Sequence, residues 1–153
     1  MIDEIKITIF HSASEIGGNT ILLQSGKDSI LLDCGSPLTD VSGKKTIDYG
    51  ILSKANALIL SHPHLDHTGE VSKLADLPIY LGHDTAIAVN VQTTHTKKGI
   101  YLKKRNIQYF EPYKKFVIGS FTILPIPVNH SAYGSYSFII EANQKRIFYS
   151  GDL

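Results

Sequence analysis

The sequence contains a single cysteine, Cys34, among 153 residues, which excludes an internal disulfide and a cysteine-rich zinc ribbon and suits a reducing compartment. It has no run approaching the roughly 18 uninterrupted apolar residues of a membrane span. The opening Met1-Ile2-Asp3-Glu4 is acidic where a secretory leader would be basic. The expectation is a soluble, cytoplasmic chain with no membrane partner. A formal charge of +1 supplies no global field for nucleic acid, whose partners are usually distinctly basic. Repeats, low-complexity tracts and linker-like segments are lacking too. With 42% apolar and 19% charged residues, residues 1–153 are expected to form one domain around its own core, with no internal boundary.

The seven histidines are the feature that composition leaves to be explained. With one cysteine, any metal must be held by imidazole and carboxylate. The strand pattern locates the cluster. Ile5 to Phe10 alternates apolar and polar residues, and Asn19–Gln24 and Ser29–Asp33 are rich in β-formers around a Gly26-Lys27-Asp28 turn, so the chain should open as a β-meander. Ser36 to Lys45 reads as a loop, and Ala57-Leu58-Ile59-Leu60-Ser61 as a short strand buried on both faces. Helical spacing follows over Thr68–Ala75 and from Asp84 to about Lys104, separated by a strand at Pro78–Leu81. Strands return at Phe116–Ile118, Phe121–Val128, Tyr136–Glu141 and Arg146–Tyr149, the last two joined by an Ala142–Lys145 turn.

The buried strand ends at His62-Pro63-His64-Leu65-Asp66-His67. In extended backbone, residues i and i+2 point the same way, so His62 and His64 can offer two nitrogens to one cation. Pro63 biases His62 toward that geometry. Asp66 and His67, where the loop turns helical, can face a second cation. Imidazole and carboxylate around open positions suit Zn²⁺, and with less selectivity Mn²⁺ or Fe²⁺. Two such ions roughly 3.5 to 4 Å apart can clamp the oxygens of a phosphodiester or carbonyl centre. A lone histidine would ordinarily fill a core or decorate a loop, but three His and one Asp within six residues after a buried strand make that explanation hard to sustain.

The segment resembles the HxHxDH signature of the metallo-β-lactamase superfamily, and the other motifs of that family follow in order. Asp33, in Leu31-Leu32-Asp33-Cys34-Gly35, matches an aspartate that supports the metal loop from behind. His130, in Pro127-Val128-Asn129-His130-Ser131, matches a ligand of the first metal, and Asp152, in Ser150-Gly151-Asp152-Leu153, the aspartate that bridges both. The resemblance implies two divalent ions, zinc or alternatively manganese or iron. His62, His64 and His130 would hold the first, Asp66 and His67 the second, and Asp152 both, with Asp66 orienting the attacking water or hydroxide. It also implies an α+β fold, an αββα sandwich of two similar halves, of which this chain would supply the N-terminal half and the start of the second. The family's last histidine lies beyond Asp152, so the expectation is a partial domain, and an uncovered sheet face would favour self-association or a covering partner.

Ile16-Gly17-Gly18-Asn19 after Glu15, Leu32-Asp33-Cys34-Gly35 and Ile147 to Leu153 look like the RNA-processing branch of that family, ribonuclease J among its members. The function implied is a metal-dependent phosphodiesterase or ribonuclease using a metal-bridging hydroxide, with RNA or another phosphodiester as substrate. A hydrolase of thioesters, lactones or lactams is the enzyme alternative, and a catalytically silent binding or assembly module is a third reading. Lys97, Lys98, Lys103, Lys104 and Arg105 are open to two readings, phosphate contacts or a solvated helix face. Tyr133 and Tyr136 are equally open, to base stacking or ordinary packing. His11, His83 and His95 fall outside the motifs, and the Glu15–Asn19 loop is expected near the site without a role.

Overall fold

The computed structural model describes residues 4–11, 16–38 and 47–153. Glu15, most of the Ser36–Lys45 loop and the side chain of His11 lie outside the described residues. The chain opens with β1 (Ile5–His11), β2 (Asn19–Ser25) and β3 (Asp28–Leu32), the expected antiparallel meander. A single helical turn, α1 (Tyr49–Leu52), is capped by the Asp48 carboxylate, which accepts from the amides of Gly50 and Ile51. β4 (Ala57–Ile59), β5 (Ile79–Gly82) and β6 (Ile107–Phe110) then add in parallel, giving a six-stranded sheet in the order β1-β2-β3-β4-β5-β6. Between them lie α2 (Leu65–Thr68), a 3-10 turn at Val71–Lys73, α3 (His83–Thr96) and a 3-10 turn at Leu102–Lys104. A second, antiparallel sheet contains β7 (Phe116–Ile118), β8 (Phe121–Pro127), β9 (Tyr136–Ala142) and β10 (Lys145–Tyr149), in the order β10-β9-β8-β7.

Period-two alternation sorts the apolar side chains into two cores. Leu31, Leu58, Leu60, Ile79 and Leu81 point outward against Leu52, Val71, Ala86 and Val89 of the helical layer. Leu23, Ile30, Leu32, Ala57 and Ile59 point inward against Phe121, Ile123, Phe138 and Ile140 of the second sheet. Residues 57–60 are wholly buried, as expected for a strand packed on both faces. These two facing sheets with helices outside the larger one are the expected α+β sandwich.

Several segments differ from expectation. The helical pattern from Asp84 breaks at Thr96 because Lys97 takes a left-handed conformation (φ 58°) and Gly99 follows at φ 92°. Thr68–Ala75 is not one helix, since α2 starts at Leu65 and ends at Thr68. β6 had no alternating signature, because it is an edge strand with Gln108 and Tyr109 both exposed. In β1, Ile7 and Ile9 are about half exposed, at 50% and 49%, since that strand is the opposite edge of the larger sheet.

Candidate metal centre

The site lies where several strands end at one edge of the sandwich. β3 and β4 are adjacent and parallel, so Asp33 and the Ser61-His62 step emerge side by side. β8 and β10 flank β9 and run in the same direction, so His130 and Asp152 follow their ends on one side. Crevices at the carboxyl ends of parallel strands are where open α/β sheets commonly bind ligands. Two glycines make the assembly fit. A Cβ on Gly35 would overlap the Asp66 carbonyl group, so the chain after β3 can lie against the metal loop only without a side chain. There the Cys34 amide donates to the His67 carbonyl and the Ser36 amide to that of Leu65, each at 2.8 Å. Gly151 sits at φ 56° against Ser61 and delivers Asp152.

All six expected ligands are brought together. They form two groups that share Asp152: His62, His64, His130 and Asp152 in one, Asp66, His67 and Asp152 in the other, with the ligand atoms of each group within 4.8 Å of one another. The rings of His62 and His64 lie 4.8 Å apart, and His130 stands 4.9 and 5.0 Å from them. His64 Nδ1 and His130 Nε2 are 3.3 Å apart, and neighbouring nitrogens of a tetrahedral zinc site with bonds of 2.0–2.1 Å are separated by about 3.3 Å. In the second group, His67 Nε2 lies 3.2 Å from Asp152 Oδ1 and 3.8 Å from Asp66 Oδ2.

The hydrogen bonds behind the cluster assign its tautomers. Asp33 is fully buried. Its Oδ1 accepts from the Ser61 amide at 2.7 Å, and its Oδ2 from the Ser61 hydroxyl at 2.6 Å, the Tyr149 hydroxyl at 2.6 Å and His67 Nδ1 at 2.7 Å. Burial opposes the Asp33 charge, but the imidazole of His67 and the donors of His67, Ser61 and Tyr149 outweigh it and hold the carboxyl below its ordinary range. Ser61 has one hydroxyl proton and gives it to Asp33, so at 2.9 Å it must accept from His62 Nδ1–H. That leaves the His62 Nε2 lone pair bare.

Among the described residues, His62 Nε2 is the buried side-chain polar atom without a hydrogen-bond partner. Burial, and then the neighbouring His67, push the His62 pKa down to about 4, so the ring is neutral at physiological pH. A buried, unprotonated nitrogen facing three other donors fits a divalent cation. His67 is likewise held with Nδ1–H toward Asp33, directing Nε2 at the second group. Burial disfavours its imidazolium, but Asp33, Asp152 and Asp66 together raise its pKa. Burial and the nearby His130 lower the pKa of His64.

Three participants were not anticipated as such. Ser61 links His62 to Asp33, and Tyr149 reaches Asp33 from the other sheet. Asn19, expected near the site without a role, places Nδ2 2.8 Å from His67 Nε2. Only Ser61 carried a signal, its place beside the first histidine. Other candidates fall elsewhere. Tyr136 is buried and packs against Gly82, whereas Tyr133 is 64% exposed. Arg105 donates to the carbonyls of Val71 and Leu74, which makes it a clamp on the 3-10 turn rather than a phosphate contact. His83 stacks on Tyr109 with centroids 3.9 Å apart. Burial pushes the Cys34 thiol up to about 12, so it is no nucleophile.

Comparison with known proteins agrees with this geometry. The chain is 27% identical over 153 residues to the "RNase J-like protein" of Methanocaldococcus jannaschii, covering 94% of this chain and 35% of that one. It is 26% identical over 119 residues to "Integrator complex subunit 11" of Danio rerio, covering 70% and 20%. The chain thus spans about a third or less of the length of these curated relatives, which bear out the resemblance to the RNA-processing branch. The metallo-beta-lactamase fold protein YhfI of Bacillus subtilis superposes with a TM-score of 0.68 at 29% identity, over 97% of this chain and 62% of that one. The family model described as "Beta-lactamase superfamily domain" matches residues 29–153, the stretch that carries Asp33, the histidine cluster, His130 and Asp152, and the chain belongs to that family.

Proposed function

We propose that this chain carries the metal-binding part of a phosphodiesterase that cleaves RNA. The observation that supports it most is the pair of ligand groups joined by Asp152, a donor set of imidazole and carboxylate only. Two divalent ions bound there, zinc, manganese or iron, would supply Lewis-acid polarisation of phosphoryl oxygens and an activated water at neutral pH. The rest of the chemistry belongs to the chain. His62, His64 and His130 present imidazole nitrogens from both sheets, while Asp152 supplies one carboxylate oxygen to each group. Asp33 keeps the proton of His67 on Nδ1, away from the reacting side. Asp66, partly exposed at the start of α2, would orient the attacking water or hydroxide toward phosphorus.

The name of the RNase J-like relative favours RNA over the thioesters, lactones or lactams that the same centre could hydrolyse. The test has two stages. Elemental analysis of protein purified without chelator should find close to two ions per chain, and His64→Ala and Asp152→Ala should both lose metal, Asp152→Ala from both groups. Metal-loaded protein should then cleave a chromogenic phosphodiester and short single-stranded RNA but not a thioester. Turnover of the thioester alone would overturn the phosphodiesterase reading. Retention of one ion or none, with no turnover, would favour a silent binding module.

A further inference from the structure

We infer that an apolar groove beside His64 is a nucleobase subsite, receiving the base next to the scissile phosphate of a single-stranded RNA. This deepens the phosphodiesterase reading and rests on it. The groove encloses about 420 Å³ and is bounded by Pro63, His64, Ile87, Val91, Gln92 and Tyr133. His64 is also a member of the first ligand group, so whatever occupies the groove lies directly beside the reacting centre.

Its surfaces have the character that stacking requires. Ile87 and Val91, one turn apart on α3, are 56% and 54% exposed, and Tyr133 is 64% exposed. Three large apolar or aromatic side chains left open around one cavity need a ligand far more than isolated surface residues do. A planar base is apolar on its faces and polar on its edge, and aromatic rings bind such faces with little dependence on base identity. Gln92 stands at the polar end of the groove, with its amide nitrogen committed to the Pro63 carbonyl at 2.9 Å. Its carbonyl oxygen is an acceptor of the kind that a base edge can donate to.

The walls are fixed before any ligand arrives. The Gln92 bond ties α3 to the metal loop. On the opposite side, the Thr85 hydroxyl donates to the Gly134 carbonyl at 2.6 Å and that of Ser135 to the Ala132 carbonyl at 2.9 Å, pinning the turn that carries Tyr133. The cost of ordering the site is thereby lowered. Charge follows the same helix, since α3 ends on exposed Lys97 and Lys98, which suits a polyanion crossing from the metals along α3. An acyl chain would find the apolar walls but no use for the lysines.

The experiment measures binding of an oligouridylate eight nucleotides long to the metal-loaded chain, with metal content checked in each variant. Tyr133→Ala should weaken binding about tenfold or more without loss of metal, and Tyr133→Phe should stay within about twofold because it keeps the ring. An oligonucleotide carrying an abasic site beside the cleavage position should bind Tyr133→Ala and the unsubstituted chain alike. Equal affinity of Tyr133→Ala and the unsubstituted chain for the intact oligonucleotide would overturn the subsite while leaving the phosphodiesterase reading intact. Slower turnover of a long-chain thioester by Tyr133→Ala, with RNA binding unaffected, would instead assign the groove to an acyl chain. Failure of the unsubstituted, metal-loaded chain to bind the oligonucleotide at all would remove both readings.

Discussion

The hydroxyl of Tyr149, at the end of the edge strand β10, donates to Asp33 Oδ2 at 2.6 Å, so the aspartate that closes β3 in the larger sheet is held from the smaller one. Asp33 in turn sets the tautomer of His67. Tyr149→Phe should keep the packing of the ring but remove one of the four donors around a buried carboxylate, costing about 1–3 kcal/mol of stability. Chemical denaturation would read that. Affinity for the second ion should fall about tenfold, at the low end for residues that hold a ligand in place, as followed by competition with a chelating dye. Unchanged metal affinity in a destabilised variant would restrict Tyr149 to a packing role.

The two ligand groups are unequal. Four side chains form the first, and three, counting the shared Asp152, form the second. Calorimetric titration of the chelator-treated chain should therefore show two steps, with the first ion bound more tightly. His130→Ala should abolish the tighter step, and Asp66→Ala the weaker. A single step with two indistinguishable ions would contradict this assignment of groups.

Gly35 has no room for a methyl group. Because an added Cβ would collide with backbone atoms of Asp66 and His67 rather than with a movable side chain, Gly35→Ala should push α2 away from the end of β3. The expected outcome is a loss of at least 3 kcal/mol, seen as insoluble or unfolded protein. A soluble Gly35→Ala variant that keeps both metals would show that the loop yields more easily than the contact implies.

Glu70 anchors the chain behind the metal loop, accepting from Ser36 and Tyr49 and pairing with Lys73. Burial raises its pKa, but the bonds to Lys73, Tyr49 and Ser36 more than compensate, and the net shift is downward. A carboxyl whose folded pKa is depressed contributes stability above the ordinary carboxylate range and loses it as pH falls through the folded value. Glu70→Gln should thus cost about 1–2 kcal/mol at pH 7, with the gap to the unsubstituted chain closing in acid. Lys73 is more than half exposed, so the partly buried hydrogen bonds to Ser36 and Tyr49 carry most of that difference. A gap that stays constant from pH 7 to pH 3 would rule out the charge as its source.

The clustering of the candidate ligands was legible in the sequence because chemistry and periodicity coincide there. His62 and His64 stand two apart in extended chain after a run of buried residues, and no cysteine competes for the metal. The meander and the strands of the second sheet were legible because they carry one more deeply buried face, which enforces an alternation along the chain. Tyr149 was not, because its partner Asp33 is 116 residues away and no local pattern marks a contact made only when two sheets close, and the place of Ser61 beside the first histidine did not reveal its bond to Asp33, 28 residues away on the neighbouring strand. α1 is a single turn that owes its existence to the Asp48 cap. The end of α3 depended on Lys97 adopting a conformation that its residue type does not announce. Tyr133 and Tyr136 look alike in sequence, and only their neighbours in space divide one into solvent and the other into the core.

His62, His64, Asp66 and His67 come from the larger sheet's connections, whereas His130 and Asp152 follow strands of the smaller one. Each ion held there would act as a rivet through both layers. Binding energy would then be shared with the docking of the layers themselves, so metal supply would tune how firmly the sandwich is closed. Starved of metal, the chain should soften first along this edge, letting amide protons at the ends of β8 and β10 exchange with solvent before those of β3 and β4.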